Sequence, residues 1–252
     1  MSRFNYSHRL VSTFPFLAVA VFKVEGVTTD ADVTSLVDGN LDVARAQLEA
    51  AGNESQLAPI RAWRAAYTAT GTNPTKYRMA AESILRRLRT RGGFPMLHPL
   101  VTLCNSVSAR FAIPVAALDL ARISGDLSVG EAQGGEPYHG FDGVESAMPA
   151  GEVTFKDGAG VAHARKWSHK QSGRSAVSAT TTRAMIVAEA VHEGAADDLS
   201  LLAARLREDL VAAWPGASVG HTLLTGEDLL SGVDMAAVAS ANGPAVNGDA
   251  GG

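Results

Sequence analysis

A chain of 252 residues with 46% hydrophobic side chains is long enough to bury a core as one large domain or two small ones, which excludes disorder as the default state. The formal net charge of −4 excludes a global electrostatic pull toward nucleic acid, so any such contact rests on local patches. A single cysteine, Cys104, excludes an internal disulfide framework and the paired thiolates of a structural zinc site, and it fits a reducing, cytoplasmic setting.

In chain order, residues 10–27 read as β structure closed by Gly26, with Phe14 to Phe22 too short to span a bilayer. Asp30 to Ala51 reads as a helix stopped by Gly52, with Gly39-Asn40 a candidate break. Ile60, Trp63 and Tyr67 recur at helical spacing, which predicts a short helix with a buried face and makes both aromatics core rather than site. Glu82 to Leu88 continues as a helix whose Ile84, Leu85 and Leu88 face inward, capped by Gly92-Gly93. Leu97 to Phe111 reads as a mostly buried helix, followed by a Pro114…Asp119 turn. From Leu127 the texture changes to short runs between glycines: Leu127 to Val129, Val153 to Phe155, a turn at 156–158, Val161 to Trp167 and Ala184 to Ala190, which is strand spacing. Leu199, Leu202, Leu206 and Leu210 form a helical stripe ending before Pro215. Helices first, strands in the middle and a helix last predict an α+β domain over 1–232. The Ala, Gly and Asn-rich segment 233–252 reads as a disordered tail.

Two basic patches interrupt the acidic balance. Lys76, Arg78, Arg86, Arg87, Arg89 and Arg91 face only Glu82, and the acid-free stretch 158–188 carries Arg165, Lys166, Lys170, Arg174 and Arg183. The first patch is equally the solvated face of a helix. Asn105 breaks an apolar segment, where a buried amide must find partners or cost a few kcal/mol, roughly. It either caps a neighbouring element or holds a substrate. No Walker or Rossmann glycine motif, nucleophile elbow or His-Glu-x-x-His helix is present, and no cofactor or metal is read from the sequence.

Several short pieces fall in one order: IRAWRAAY at 60–67, NPTKYR at 73–78, ESILRR at 82–87, HPLV at 98–101, NSVS at 105–108, Ile113-Pro114 with Leu118-Asp119-Leu120, GEVTF at 151–155, then Trp167, Thr182 and Glu189. In that order they resemble the tRNA-editing (B3/B4) domain of the phenylalanyl-tRNA synthetase beta subunit, and more closely the free-standing proteins made of that domain alone. The resemblance spans about 55–192. It implies a layered β-sandwich of unusual topology with covering helices, and a trans-acting aminoacyl-tRNA deacylase with the aminoacylated acceptor end of tRNA as partner, and neither DNA nor a membrane. It implies Asn105 as the residue that holds the water or the ester carbonyl, and Glu189 as the reader of the substrate's side chain or amino group.

Where the family has a Pro-x-His turn this chain has Pro114-Val-Ala116, so His169 becomes the candidate proton-transfer group. Trp167 is the candidate platform for the terminal adenine, with Ser168 and Gln171 as further substrate contacts. Arg165, Lys166, Lys170, Arg174, Arg86 and Arg87 are the candidate tRNA contacts. A non-catalytic RNA-binding module is the alternative, and a Cys104 hydrolase a third reading, disfavoured by its apolar setting.

Overall fold

The most apolar stretches of the sequence become the centre of the molecule. A computed structural model describes residues 3–238. In chain order these form β1 (Arg3–Tyr6), α1 (His8–Thr13), β2 (Ala18–Glu25), α2 (Thr34–Ala51), α3 (Ala58–Ala69), α4 (Ala80–Arg91), α5 (Pro99–Phe111), β3 (Val115–Asp119), β4 (Leu127–Glu131) and β5 (Pro137–His139). There follow β6 (Glu145–Ala147), β7 (Val153–Asp157), β8 (Ala164–Arg165), β9 (Lys170–Gln171), β10 (Arg183–Ala190), α6 (Ala195–Ala213), β11 (Ser218–Thr225), α7 (Glu227–Ser231) and β12 (Val233–Asp234).

β2 and β10 pair antiparallel from Ala18↔Ala190 to Glu25↔Arg183, in a sheet of order β11-β2-β10-β3. Both strands are buried at nearly every position, which requires cover on both faces. α6 covers one face against β2, β10 and β11, while α5 packs on β3 and in turn on α2 and α4. A second sheet, β12-β1-β4-β7, with β1 parallel to β4, shares the same core and reaches the first through Tyr6 on β1, whose hydroxyl meets Glu189 on β10. The fold is α+β: two four-stranded sheets share the core, the first covered by α5 and α6, with two-stranded pairs β5-β6 and β8-β9 beside them. Among the described residues no helix is long and apolar enough to cross a membrane.

Four departures from the expected elements have local causes. The β reading of 10–27 begins too early: Ser7 caps a helical turn, accepting from the Leu10 amide, and the strand starts at Ala18. Gly39-Asn40 does not break α2, because Asn40 is fully buried and its Nδ2 donates to Asp209 Oδ2 (2.9 Å) and Ser106 Oγ (3.2 Å), tying α2 to α6 and α5. The 114–119 turn is strand β3: the chain reverses earlier, at Ala112, whose φ of 55° closes α5. The tail boundary at 233 is also corrected. Val233 pairs with Phe4 and Asp234 with Arg3, and Met235 and Val238 are buried. Gly232 (φ 69°) makes that return, since a Cβ there would collide with the Phe4 carbonyl oxygen. The remainder of the expected tail, 239–252, lies outside the described residues.

Candidate functional site

Where the two sheets meet, a cavity of about 130 Å³ opens between α5, β3, β10 and the 163–171 segment. Its walls include Asn105, Ala116, Leu118, His163, Trp167, Ser168, His169, Val187 and Glu189. Val187 and Glu189 lie two apart on β10 and so share a face.

Glu189 is 3% exposed. The Tyr6 hydroxyl (2.6 Å) and the Trp167 indole N–H (2.7 Å) both donate to its Oε1, and the Trp63 indole N–H donates to its backbone carbonyl (3.2 Å). Oε2 accepts no hydrogen bond from the described residues. Burial pushes this carboxyl up to about 7, and the Tyr6 and Trp167 bonds only partly offset it, because both donors are neutral. A buried carboxyl raised toward neutrality beside a cavity makes Glu189 a candidate for the chemistry of this site. Asn105 lines the same cavity from α5, half-buried, and its side chain makes no hydrogen bond to any described residue. It caps nothing. The amide is available to a ligand.

The 165–172 loop is built by Glu152. Its carboxylate accepts from Arg165 Nε (2.5 Å), Lys166 Nζ (2.8 Å) and the Lys166 backbone amide (2.9 Å). Trp167 N donates to Val153 O (2.7 Å). These ties hold Lys166 (φ 48°) and Trp167 (φ 64°) in the left-handed region, which costs on the order of 1–3 kcal/mol for each such residue. The result is to turn the Trp167 indole inward. It is 1% exposed, edge-on to Trp63 (4.8 Å between ring centroids) and tilted against Phe14 (5.3 Å).

Several sequence-derived roles change accordingly. Trp167 cannot offer a face to a nucleobase; it holds Glu189 instead. Arg165 and Lys166 are committed to Glu152, and Arg86 and Arg89 to the buried Glu54 (3.3 and 2.7 Å). Lys170, Arg174 and Arg87 are exposed and form no ion pair among the described residues. Gln171 lines the cavity, yet its Nε2 donates to Ala117 O (2.8 Å) and Ser175 O (3.3 Å), a tie between loop and β3. Ser168 also lines it, with Oγ 3.1 Å from the Tyr67 hydroxyl. Trp63 and Tyr67 are thus core residues that also brace the site.

His169 lines the cavity with Nδ1 2.6 Å from Arg78 O. A carbonyl only accepts, so Nδ1 carries the proton and Nε2 is the basic nitrogen. Burial lowers its pKa, against the Arg78 carbonyl, and favours this neutral form. Cys104 is buried, and burial pushes its thiol up to about 12, far from the thiolate a nucleophile needs. Two wall or bracing residues had no signal in the sequence. His163, fully buried with Nε2 3.3 Å from Asp157 Oδ2, has its pKa lowered by burial despite that carboxylate. Tyr6 lies far outside the resembling segment. Among the described residues no group of three or more His, Cys, Asp and Glu side chains could hold a metal ion.

Comparison with known proteins identifies the family. The family model described as B3/4 domain matches residues 62–202, which contains Asn105, the loop and Glu189. The phenylalanine–tRNA ligase beta subunit of Legionella pneumophila (strain Paris) is 42% identical over 71 residues, 28% of this chain and 9% of that protein. The chain therefore aligns with under a tenth of that relative's length. Among solved structures, an N-terminal fragment of the phenylalanyl-tRNA synthetase beta subunit from Pyrococcus horikoshii superposes with a TM-score of 0.46 at 10% identity, covering 86% of this chain and 50% of the other. The chain belongs to the B3/4 domain family.

Proposed function

We propose that this protein is a trans-acting aminoacyl-tRNA deacylase, which hydrolyses the ester between a mischarged or non-protein amino acid and the terminal ribose of tRNA. The observation that carries the reading is the pair of uncommitted acceptor and donor groups in one small cavity: Glu189 Oε2 and the Asn105 amide. An apolar cavity of about 150 Å³ holds one benzene ring. A space of about 130 Å³ suits the aminoacyl group and leaves the ribose and bases outside.

An aminoacyl ester is already activated, so hydrolysis needs a positioned water and a donor to the developing oxyanion, with no covalent intermediate. Asn105 supplies the amide that orients the water or polarises the carbonyl. Glu189 takes an ammonium or hydroxyl donor of the substrate through Oε2. His169 Nε2 receives a proton from the attacking water, and the ribose oxygen leaves with a proton to regenerate the 3′ end. Free amino acid and uncharged tRNA result. We place this activity in the cytoplasm.

A panel of radiolabelled aminoacyl-tRNAs under single-turnover conditions tests the reading. Release of label from a subset of the panel, unchanged by chelator, is expected. Buffer-level loss across the whole panel, at protein concentrations equal to tRNA, replaces the enzyme with a non-catalytic RNA-binding module.

A further inference from the structure

We propose that the open groove beside the cavity, between Tyr77 and the β5–β6 hairpin, binds the unpaired 3′-terminal nucleotides of tRNA, with Phe141 as stacking platform and Lys170 as phosphate contact; this deepens the deacylase reading and rests on it. The groove has a volume of about 840 Å³ and shares His169, Lys170 and Gln171 with the cavity wall, so the two spaces adjoin across these residues. If the aminoacyl group enters the cavity, the ribose sits at that shared edge. The preceding nucleotides must then leave along the groove.

Its chemistry suits them. Phe141, at the hairpin tip, is 73% exposed, and Val144 beside it is 60% exposed. Phe141 and Val144 thus present apolar surface to water on the wall of a groove that Lys166 and Lys170 also line. Lys170 is exposed and forms no ion pair among the described residues. Lys166 Nζ and Lys76 Nζ lie 4.6 and 5.1 Å from the Tyr77 ring centroid. The acid in the groove, Asp142, is turned to its own loop, where Oδ1 accepts from the Val144 amide (3.1 Å). Aromatic faces alternating with cations are what single-stranded nucleic acid uses, because every base has a π face and every step a phosphate.

The platform is also fixed relative to the cavity. Ser172 Oγ donates to His139 O (2.9 Å), and the Tyr138 hydroxyl donates to Gln171 O (3.0 Å). Gly173 lies so close to the hairpin that an added Cβ would stand 3.0 Å from Gly140 O. The stacking that Trp167 cannot provide thus has another source, braced against the loop that carries Trp167.

The test uses dye-labelled, uncharged RNA minihelices, one with an unpaired 3′ tail ending in CCA and one blunt, with binding read by anisotropy across a salt series. Phe141→Ala should weaken binding of the tailed minihelix about tenfold, since losing one stacked base costs roughly that much. Lys170→Ala should reduce the slope of log affinity against log salt by about 0.7, the share of one single-strand phosphate. Neither change should affect the blunt minihelix. The groove assignment is overturned if the wild type does not prefer the tailed form, if Phe141→Ala keeps wild-type affinity for it, or if both minihelices lose equally. Hydrolysis of amino-acid methyl esters, which lack RNA, separates the two readings. Phe141→Ala, outside the cavity wall, should match wild type there. Tail-dependent binding without turnover of any ester or aminoacyl-tRNA would leave the groove standing and remove the deacylase.

Discussion

Glu189 and Glu152 are both buried glutamates within the matched family segment, and their surroundings give them opposite behaviour. Burial raises the pKa of each first. At Glu152 the hydrogen bonds from Arg165 and Lys166 more than reverse that and hold the carboxyl below its ordinary value, whereas at Glu189 the donors are a phenol and an indole, and the carboxyl stays raised to about 7. Cations anchor; neutral donors orient without quenching. Two basic residues of the loop, Arg165 and Lys166, are therefore spent on architecture, and the raised carboxyl of Glu189 sits where no cation touches it.

The strongest attack on this contrast goes through the uncommitted amide. Asn105→Ala should cut single-turnover deacylation by roughly 10²–10³, the cost of about one transition-state contact of 2.7–4 kcal/mol. Because that side chain makes no protein hydrogen bond, the thermal melt should stay at the wild-type value. A loss of activity that merely tracks loss of folded protein would return Asn105 to a structural role.

The two carboxylates should next show opposite stability profiles. Glu189 has a folded pKa raised from 4.5 to about 7, so its contribution is fully present below about 4.5 and is lost as pH rises through 7. Glu189→Gln should therefore become more stable than wild type as pH increases across that window, by on the order of 3 kcal/mol at the top. Glu152 has a depressed folded pKa, so its contribution is present above the ordinary carboxylate range and fades as pH falls through the folded value. Glu152→Gln should cost about 1–2 kcal/mol at neutral pH, less than a fully buried pair because Arg165 and Lys166 keep some contact with water. Denaturant melts at several pH values check both, and parallel profiles would erase the distinction.

A finer cut removes one neutral donor. Tyr6→Phe should raise the Glu189 titration midpoint further, seen in carboxyl-labelled NMR assigned with Glu189→Gln, and move the alkaline-side onset of any Glu189-dependent activity the same way. An unchanged midpoint would mean that Trp167 alone sets the carboxyl. The smallest effect belongs to the thiol: Cys104→Ala should leave the deacylation rate within a few-fold of wild type, and a hundredfold loss would revive the cysteine reading.

Much of the fold is legible in periodicity. The stripe Leu199, Leu202, Leu206 and Leu210 gives α6, and Gly92, at φ 65°, closes α4 as its position after Arg91 predicts. Strands of two to five residues such as β1 and β12 carry too little pattern to be read alone, and β3 was masked by the proline before it. The same holds at the site. The ordered short motifs put Asn105, the loop and Glu189 in one family segment, and the structure brings them to one cavity. What the sequence could not reveal is partnership at long separation. Tyr6 and Glu189 are 183 residues apart, and the Arg165 and Lys166 charges look free until Glu152, more than ten residues earlier, is seen to meet them.

The crossing of Tyr6 onto Glu189 has a practical consequence for anyone cutting or grafting this domain. The segment that defines the family, 62–202, omits β1, which carries Tyr6, and β2, an interior strand of the sheet that holds Glu189. It omits β11 and β12 as well. A recombinant fragment trimmed to those borders would expose the edge of β10 along its whole length and strip the carboxylate of one of its two donors. Such a fragment should aggregate, and a transplant into another protein must carry the flanking strands along with the segment that gives the family its name.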